Sequence, residues 1–332
     1  MSTMVKRGIL IGLLLLIVSG ITIYFTIDLD SLATLGTFNL TSLLLAIVAL
    51  ALGMYFDGLR LQRLVRMGGY NLSLIAILRV IFGNYFMAML TPGASGGAVA
   101  QALILRSYHV PIGTAAPIVL VRTVFSILFL IVMLPIILVT EPIEVPYITN
   151  TQLLGISLFV VISTFMGMYL LQTRLMKRLV TWICKMMKKG NPKGWLIKLD
   201  EFNRGLSLLY ANPMQSFIVF IESALSLLFL YAIAPALMYA FTSDISIVEI
   251  LNRMILLNLI LYFAPTPGGT GVAEGLFVYL FASFVPIGTV GLVAVAWRIV
   301  AEYVPFFIGM YSVFTLYGQH MASSVSTSSE EV

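Results

Sequence analysis

The sequence predicts an all-α polytopic membrane protein with about six full transmembrane spans and two half-membrane hairpins that form inverted repeats. Three observations support this prediction. The chain of 332 residues is 60% hydrophobic and only 10% charged, which lies outside the range of soluble domains. Its basic residues flank the apolar runs, as membrane topology requires. A motif rich in proline and glycine occurs twice inside apolar sequence.

The two copies of this motif indicate an internal repeat. Thr91-Pro-Gly-Ala-Ser-Gly96 matches Thr266-Pro-Gly-Gly-Thr-Gly271 at an offset of 175 residues, and the same offset superimposes residues 110–114 on residues 285–289. An uninterrupted helix cannot pass through either motif, because proline lacks a backbone donor and glycine permits positive φ. Broken backbone at membrane depth is tolerated only where it is buried or lines a cavity. The repeat therefore predicts the core of the molecule.

The first predicted span covers residues 8–27 and follows two basic residues. Its glycines Gly8 and Gly12 have the spacing of a helix-packing contact, which would also suit a homodimer. The loop 28–39 contains no Lys or Arg, so we place it outside the cell and the N-terminus in the cytoplasm.

The second span, residues 40–56, leads into a group of cationic residues that we place in the cytoplasm: Arg60, Arg63 and Arg66. Residues 72–106 begin and end on that same side. They are therefore predicted to form a hairpin that enters from the cytoplasm, with Thr91 and Gly93 near its tip. A long helix, residues 111–139, returns outward and completes repeat one, which covers about residues 40–139.

An acidic loop and a span over residues 153–171 connect the repeats. The basic segment 172–211 follows in the cytoplasm, where its Lys, Arg and Trp suit helices on the membrane surface as well as an ordinary positive-inside loop. Repeat two covers about residues 214–316, and we predict a kink at Pro235 in its first span. The integral membrane domain ends near residue 322, before a disordered, cytoplasmic tail at residues 323–332.

The second hairpin is predicted to enter from outside, so that the repeats have opposite orientations. Its tip spans Pro265 to Gly271 and includes Pro267, Gly268 and Gly269. The glycines would permit a turn, a close backbone approach, or both. Inverted repeats of this kind are the construction of many secondary transporters, whose sites lie near the bilayer midplane.

Charged residues inside the apolar segments are the candidates for a site, because each is costly to place in the bilayer. Arg122 has no acid three or four residues away, so its partner must come from another helix or from a substrate. Arg298 lies one residue from the position equivalent to Arg122, and Glu302 is one turn further, so an internal ion pair is the competing interpretation. Arg253 has Glu249 four residues earlier, which favours a structural pair.

Two glutamates complete this group. Glu274 follows the glycine turn, where exposed amides at a helix N-terminus favour an anion that either Glu274 or a ligand phosphate could supply. Glu222 lies inside an apolar run and could carry a proton or coordinate a substrate.

These residues carry a family resemblance. The segment Pro265 to Glu274, the later Trp297-Arg298 pair and the segment Thr91 to Gly97 resemble the flippase-like transmembrane domain of lysylphosphatidylglycerol synthases, in a stand-alone form without the aminoacyl-transferase domain. The first motif departs from the family pattern, because Ala98, Val99 and Gln101 stand where an acid and an arginine are usual. The resemblance implies binding or movement of an anionic lipid, an aminoacylated phospholipid or a polyprenyl-phosphate-linked sugar.

Three functions stay open at this point. The protein would bind and translocate lipid in the cell membrane, or act as an ion-coupled transporter of a small solute with Glu222 or Glu274 as proton carrier, or modify lipids as an enzyme. The last is disfavoured because the sequence lacks a phosphate-binding glycine loop, a zinc-protease motif and a histidine-based triad. With one Cys and two His, we expect no metal, no cofactor and no catalytic residues, and the basic residues that flank apolar spans argue against nucleic acid.

Overall fold

The architecture is taken from a computed structural model. It describes residues 39–91, 93–140, 149–171 and 211–316, together with isolated positions between 172 and 210. Several sequence predictions fall outside these residues: the first span with Gly8 and Gly12, the acidic loop, the surface helices of the basic segment and the C-terminal tail.

The described residues form helices joined by turns. The helices are α1 (Leu40–Met67), α2 (Leu74–Leu90), α3 (Ser95–Ser107), α4 (Ile112–Thr140), α5 (Asn150–Leu171), α6 (Pro213–Tyr231), α7 (Ile233–Met238), α8 (Ile247–Leu261), α9 (Val272–Phe281) and α10 (Val290–Arg298). A π-helical segment, Ile299–Tyr303, follows α10, and the same helical rod then continues to Leu316.

The chain is a multi-pass membrane protein. Within the described residues, four helical stretches are long and apolar enough to cross a membrane: Leu40–Met67, Ile112–Thr140, Pro213–Met238 and Val290–Leu316. Helix α5 is shorter in its apolar part and leaves large side chains such as Phe159 and Ile162 exposed. The sequence predicted a span at each of these five places.

Short polar side chains begin several of the helices. Asn39 accepts a hydrogen bond from the Thr41 amide at 3.0 Å at the start of α1, and Ser73 accepts one from the Ala76 amide at 3.3 Å at the start of α2. Pro235 has the predicted effect on its span, because the helix is interrupted at Ala232 between α6 and α7.

Both proline-glycine motifs break the helices, and the two turns have the same backbone conformation. Gly93 and Gly268 have φ of 59° and 57°, and the next residues, Ala94 and Gly269, have φ of 53° and 67°. The first turn separates α2 from α3, and the second separates α8 from α9. The repeat in sequence is thus matched by a repeat in local structure.

Close helix packing surrounds the first hairpin. A methyl group at Gly309 would overlap the carbonyl oxygen of Phe82 in α2, and one at Gly97 would overlap the side chain of Asn84. Helices α1 and α6 also meet closely, since the Ser226 hydroxyl donates to the carbonyl of Gly53 at 3.0 Å. Small residues at such contacts let membrane helices approach each other.

Candidate functional site

The tip of the second hairpin is an unwound turn that touches the first hairpin. Pro267 accepts hydrogen bonds from the Thr270 hydroxyl and amide at 2.8 and 3.1 Å, which closes the turn. A methyl group on Gly268 would lie 3.4 Å from Cα of Met89, near the end of α2. Gly268 therefore combines a turn conformation with a close approach to another backbone. The neighbouring Gly271 also has positive φ, at 84°.

Arg298 is buried beside this tip and has three protein acceptors. Its Nε donates to Glu274 Oε1 at 2.9 Å, and its Nη2 donates to the carbonyl oxygen of Gly268, also at 2.9 Å. Its Nη1 forms an ion pair with Glu302, one helical turn further along. The interpretation of Arg298 and Glu302 as an internal pair is confirmed, and Arg298 also holds the broken backbone in place.

Glu274 caps the helix that follows the turn. Its Oε2 accepts a hydrogen bond from the amide of Gly271 at 2.7 Å, and its Oε1 contacts Arg298. Of the two anions that the sequence allowed at this helix N-terminus, the protein supplies its own carboxylate. A ligand phosphate would have to displace a buried ion pair to bind at this point.

Arg122 has its counter-ion on another helix, as its sequence context required. Its Nη2 lies 2.5 Å from Asp57 Oδ2, and its Nε donates to Asp57 Oδ1 at 3.1 Å. The same Oδ1 accepts a hydrogen bond from Arg60 Nε at 2.6 Å. All three side chains are buried. One carboxylate therefore holds two arginines.

The position of Arg60 corrects the sequence analysis, which placed it in the cytoplasm. Helix α1 continues past residue 56 to Met67, and Arg60 is only 3% exposed because it turns inward to Asp57. Neither Asp57 nor Arg60 was a candidate site residue. The available signal was an acid and an arginine three residues apart at the end of a long apolar run, which places both on one helical face.

Polar side chains from both hairpins surround this group. Arg60 Nη1 donates to the Ser126 hydroxyl at 2.8 Å, and Tyr262, which follows α8, is also hydrogen-bonded to Ser126. Tyr85 of α2 lies close enough to interact electrostatically with Asp57 and with Glu302. We call Asp57, Arg60 and Arg122 the arginine-rich cluster, and Glu274, Arg298 and Glu302 the glutamate-rich cluster. Tyr85 shows that the two clusters border one interior region.

The two clusters carry opposite formal charge. Two arginines on one aspartate leave the arginine-rich cluster at +1, and two glutamates on one arginine leave the glutamate-rich cluster at −1. Arg122 keeps hydrogen-bonding capacity, because its Nη1 has no acceptor within the part of the chain that the structure describes and its side chain is 10% exposed. A buried excess of positive charge favours an anion.

The remaining candidates lie apart from this excess charge. Glu222 accepts three hydrogen bonds from Arg63, at 2.7 to 3.1 Å, across the contact between α1 and α6. At the first tip, the Thr91 hydroxyl donates to the carbonyl of Met87 at 2.9 Å and accepts from the amide of Gly96 at 2.8 Å. That turn is closed by its own groups, with Gly93 providing the positive φ.

Other charged groups have structural partners. Arg253 contacts Glu249 at 2.8 Å, as the sequence predicted, and also donates to the carbonyl of Leu280 and lies 4.5 Å from the ring centre of Phe284. No group of three or more His, Cys, Asp or Glu side chains within the described ranges is arranged to hold a metal ion.

Comparison with known proteins agrees with the sequence motifs and the helical architecture. The model of the lysylphosphatidylglycerol synthase transmembrane region matches residues 8–309. The chain is also similar to a UPF0104 membrane protein of Archaeoglobus fulgidus, with 23% identity over 281 residues, which is 81% of this chain and 86% of that protein. The family match covers both hairpins and both charged clusters, and the chain therefore belongs to the lysylphosphatidylglycerol synthase transmembrane region family.

Proposed function

We propose that this protein binds a membrane lipid through its headgroup phosphate and translocates it across the bilayer. The observation that carries the proposal is the arginine-rich cluster, in which one buried carboxylate faces two arginines and Arg122 retains a free donor group. A guanidinium in a low-dielectric site can hold a phosphate with strong, charge-assisted hydrogen bonds. The family membership is consistent with a lipid as the ligand.

The substrate class follows from this chemistry. Anionic phospholipids, aminoacylated phospholipids and polyprenyl-phosphate-linked sugars all present a phosphate to Arg122, while their apolar chains remain in the membrane. Arg298 and Glu274 have a supporting role at the second tip, where Glu302 and the Gly268 carbonyl complete the coordination of Arg298. The protein acts by binding and movement, without catalysis.

The proposed topology gives the headgroup access from both sides. The two hairpins enter from opposite membrane faces, both termini are cytoplasmic, and the cell membrane is the location. Support comes from the basic and uncharged loops and from the contact of the second tip with Met89 in the first hairpin. In a Cys184→Ala background, single cysteines at Ser107 and Ser283 should be labelled from opposite sides, and labelling of both from one side would contradict this topology.

The function is tested by lipid binding and translocation in vesicles. Purified protein is reconstituted in phosphatidylcholine with a fluorescent phosphatidylglycerol, and both leaflets are monitored. Wild-type protein should bind and move the anionic probe. Arg122→Gln should reduce binding while the unfolding temperature stays near wild type, because Asp57 and Arg60 still form a neutral pair.

Arg298→Gln is the matched control. It removes an arginine of equal burial that has three protein acceptors, so we expect loss of stability as its main effect. Unchanged binding in Arg122→Gln, or uptake of a soluble solute in response to an ion gradient in place of lipid movement, would contradict the proposal.

A further inference from the structure

Gln101 is buried without a hydrogen-bond partner. Its exposed fraction is 0%, and neither Nε2 nor Oε1 makes a hydrogen bond to any residue that the structure describes. A primary amide can donate two hydrogen bonds and accept two, so this burial lowers the stability of the fold. Buried polar groups of this kind call for a specific explanation.

The position of Gln101 in the first hairpin follows from its neighbours on α3. Gly97, Gln101 and Ile104 lie four and three residues apart and therefore share one face of the helix. Gly97 packs against Asn84, and Ile104 packs against Gly83, so this face is turned toward α2. Gln101 therefore lies between the two helices of the hairpin, near the level of Asn84.

The arginine-rich cluster borders the same part of α2. Tyr85 directly follows Asn84 and interacts electrostatically with Arg122, Arg60 and Asp57. The unpartnered amide and the unpartnered Nη1 group of Arg122 thus approach a common stretch of α2 from different helices. An anion next to Arg122 would have both charged and neutral donors within this region.

We propose that Gln101 is a further headgroup-binding residue, which donates a hydrogen bond to a phosphate or hydroxyl oxygen of the lipid whose phosphate contacts Arg122. The proposal rests on the proposed function. Its ligand chemistry is a phosphate ester that carries oxygen acceptors. An uncharged amide at this point selects for such oxygens without adding further positive charge to the cluster.

The test compares Gln101 with a second buried polar group. Gln101→Met keeps the length of the side chain and removes the amide. Ser42→Ala is the control, because the Ser42 hydroxyl is equally buried and unpartnered, but lies 15 residues before Asp57, about 22 Å away along α1. Binding and translocation of fluorescent phosphatidylglycerol are measured in phosphatidylcholine vesicles, together with the unfolding temperature.

We expect Gln101→Met to weaken probe binding roughly tenfold or more, with an unfolding temperature equal to or above wild type. Gln101→Asn, which keeps the amide, should retain part of the binding, and Ser42→Ala should bind as wild type. Wild-type binding in Gln101→Met would overturn this proposal and leave the proposed function standing. A lowered unfolding temperature would also overturn it, because the amide would then have an internal partner. Loss of binding in wild-type protein would instead remove the proposed function itself.

Discussion

The two hairpins share a turn but differ in the interactions that hold them together. In the first, glycines bring helices into contact: Gly97 lies against Asn84 across the hairpin, and Gly309 of the last helix lies against the backbone of Phe82. In the second, Glu274 and Arg298 connect the tip to the last helix, and Arg298 also binds the carbonyl of Gly268. One hairpin is fixed by packing and the other by charge.

This difference places the excess charge of each cluster in a different setting. The arginine-rich cluster belongs to α1 and α4, outside the first hairpin, while the glutamate-rich cluster is built into the second tip. Removing a charge should therefore affect the second hairpin most, and adding volume should affect the first hairpin most. The predictions below test this contrast, beginning with the largest effect.

We expect the largest loss of stability from Asp57→Asn, which leaves Arg60 and Arg122 buried without their acid. Breaking a buried ion pair costs about 3–5 kcal/mol in free energy of unfolding. Arg298→Gln should cost less at low pH, because Glu274 and Glu302 can then take up protons, whereas arginines do not release theirs. Thermal unfolding in detergent between pH 5 and pH 8 measures both variants. Equal pH dependence of the two would contradict the assignment of opposite charge to the clusters.

The second prediction concerns packing against the first hairpin. Gly309→Ala should lower the free energy of unfolding by about 2–3 kcal/mol, because the methyl group would overlap a backbone oxygen that cannot rotate away. Gly275→Ala is the control, since Gly275 lies in α9 of the second hairpin with no atom within 4 Å of the added methyl group. It should leave stability unchanged or raise it slightly. A similar loss in both variants would show that packing does not distinguish the hairpins.

The smallest effects are expected from exchanging one turn residue between the repeats. Ala94 has φ of 53°, where its equivalent Gly269 has φ of 67°. Gly269→Ala should cost about 1–2 kcal/mol from the left-handed backbone, with a further close contact to Leu261. Ala94→Gly should be neutral or stabilising, because relief of strain offsets the added chain entropy. Chemical denaturation of the two single variants gives the sign, and a loss of stability in Ala94→Gly would show that the turns are not equivalent.

Local features of this fold could be predicted from the sequence. The motif at Thr266 to Gly271 predicts a broken helix, the spacing of Arg298 and Glu302 predicts an ion pair, and the position of Glu274 allows it to cap α9. Each depends on residues within a few positions of one another, where helical geometry fixes the distance.

Contacts between distant parts of the chain could not be predicted in the same way. Asp57 and Arg122 are 65 residues apart, and Arg63 and Glu222 are 159 residues apart, so only tertiary packing reveals these pairs. Arg60 was misplaced because a positive charge after an apolar run usually marks the membrane surface. The chain instead carries it inward on an extended α1, where Asp57 neutralises it.

The contact of Gly309 with Phe82 also limits how the protein can move. A helix whose backbone lies directly against another cannot slide past it, since any shift meets main-chain atoms on both sides. Helix α2 and the rod from Val290 to Leu316 should therefore travel as one rigid body. Opening toward either membrane face must then occur at another boundary, by hinge motion elsewhere in the bundle.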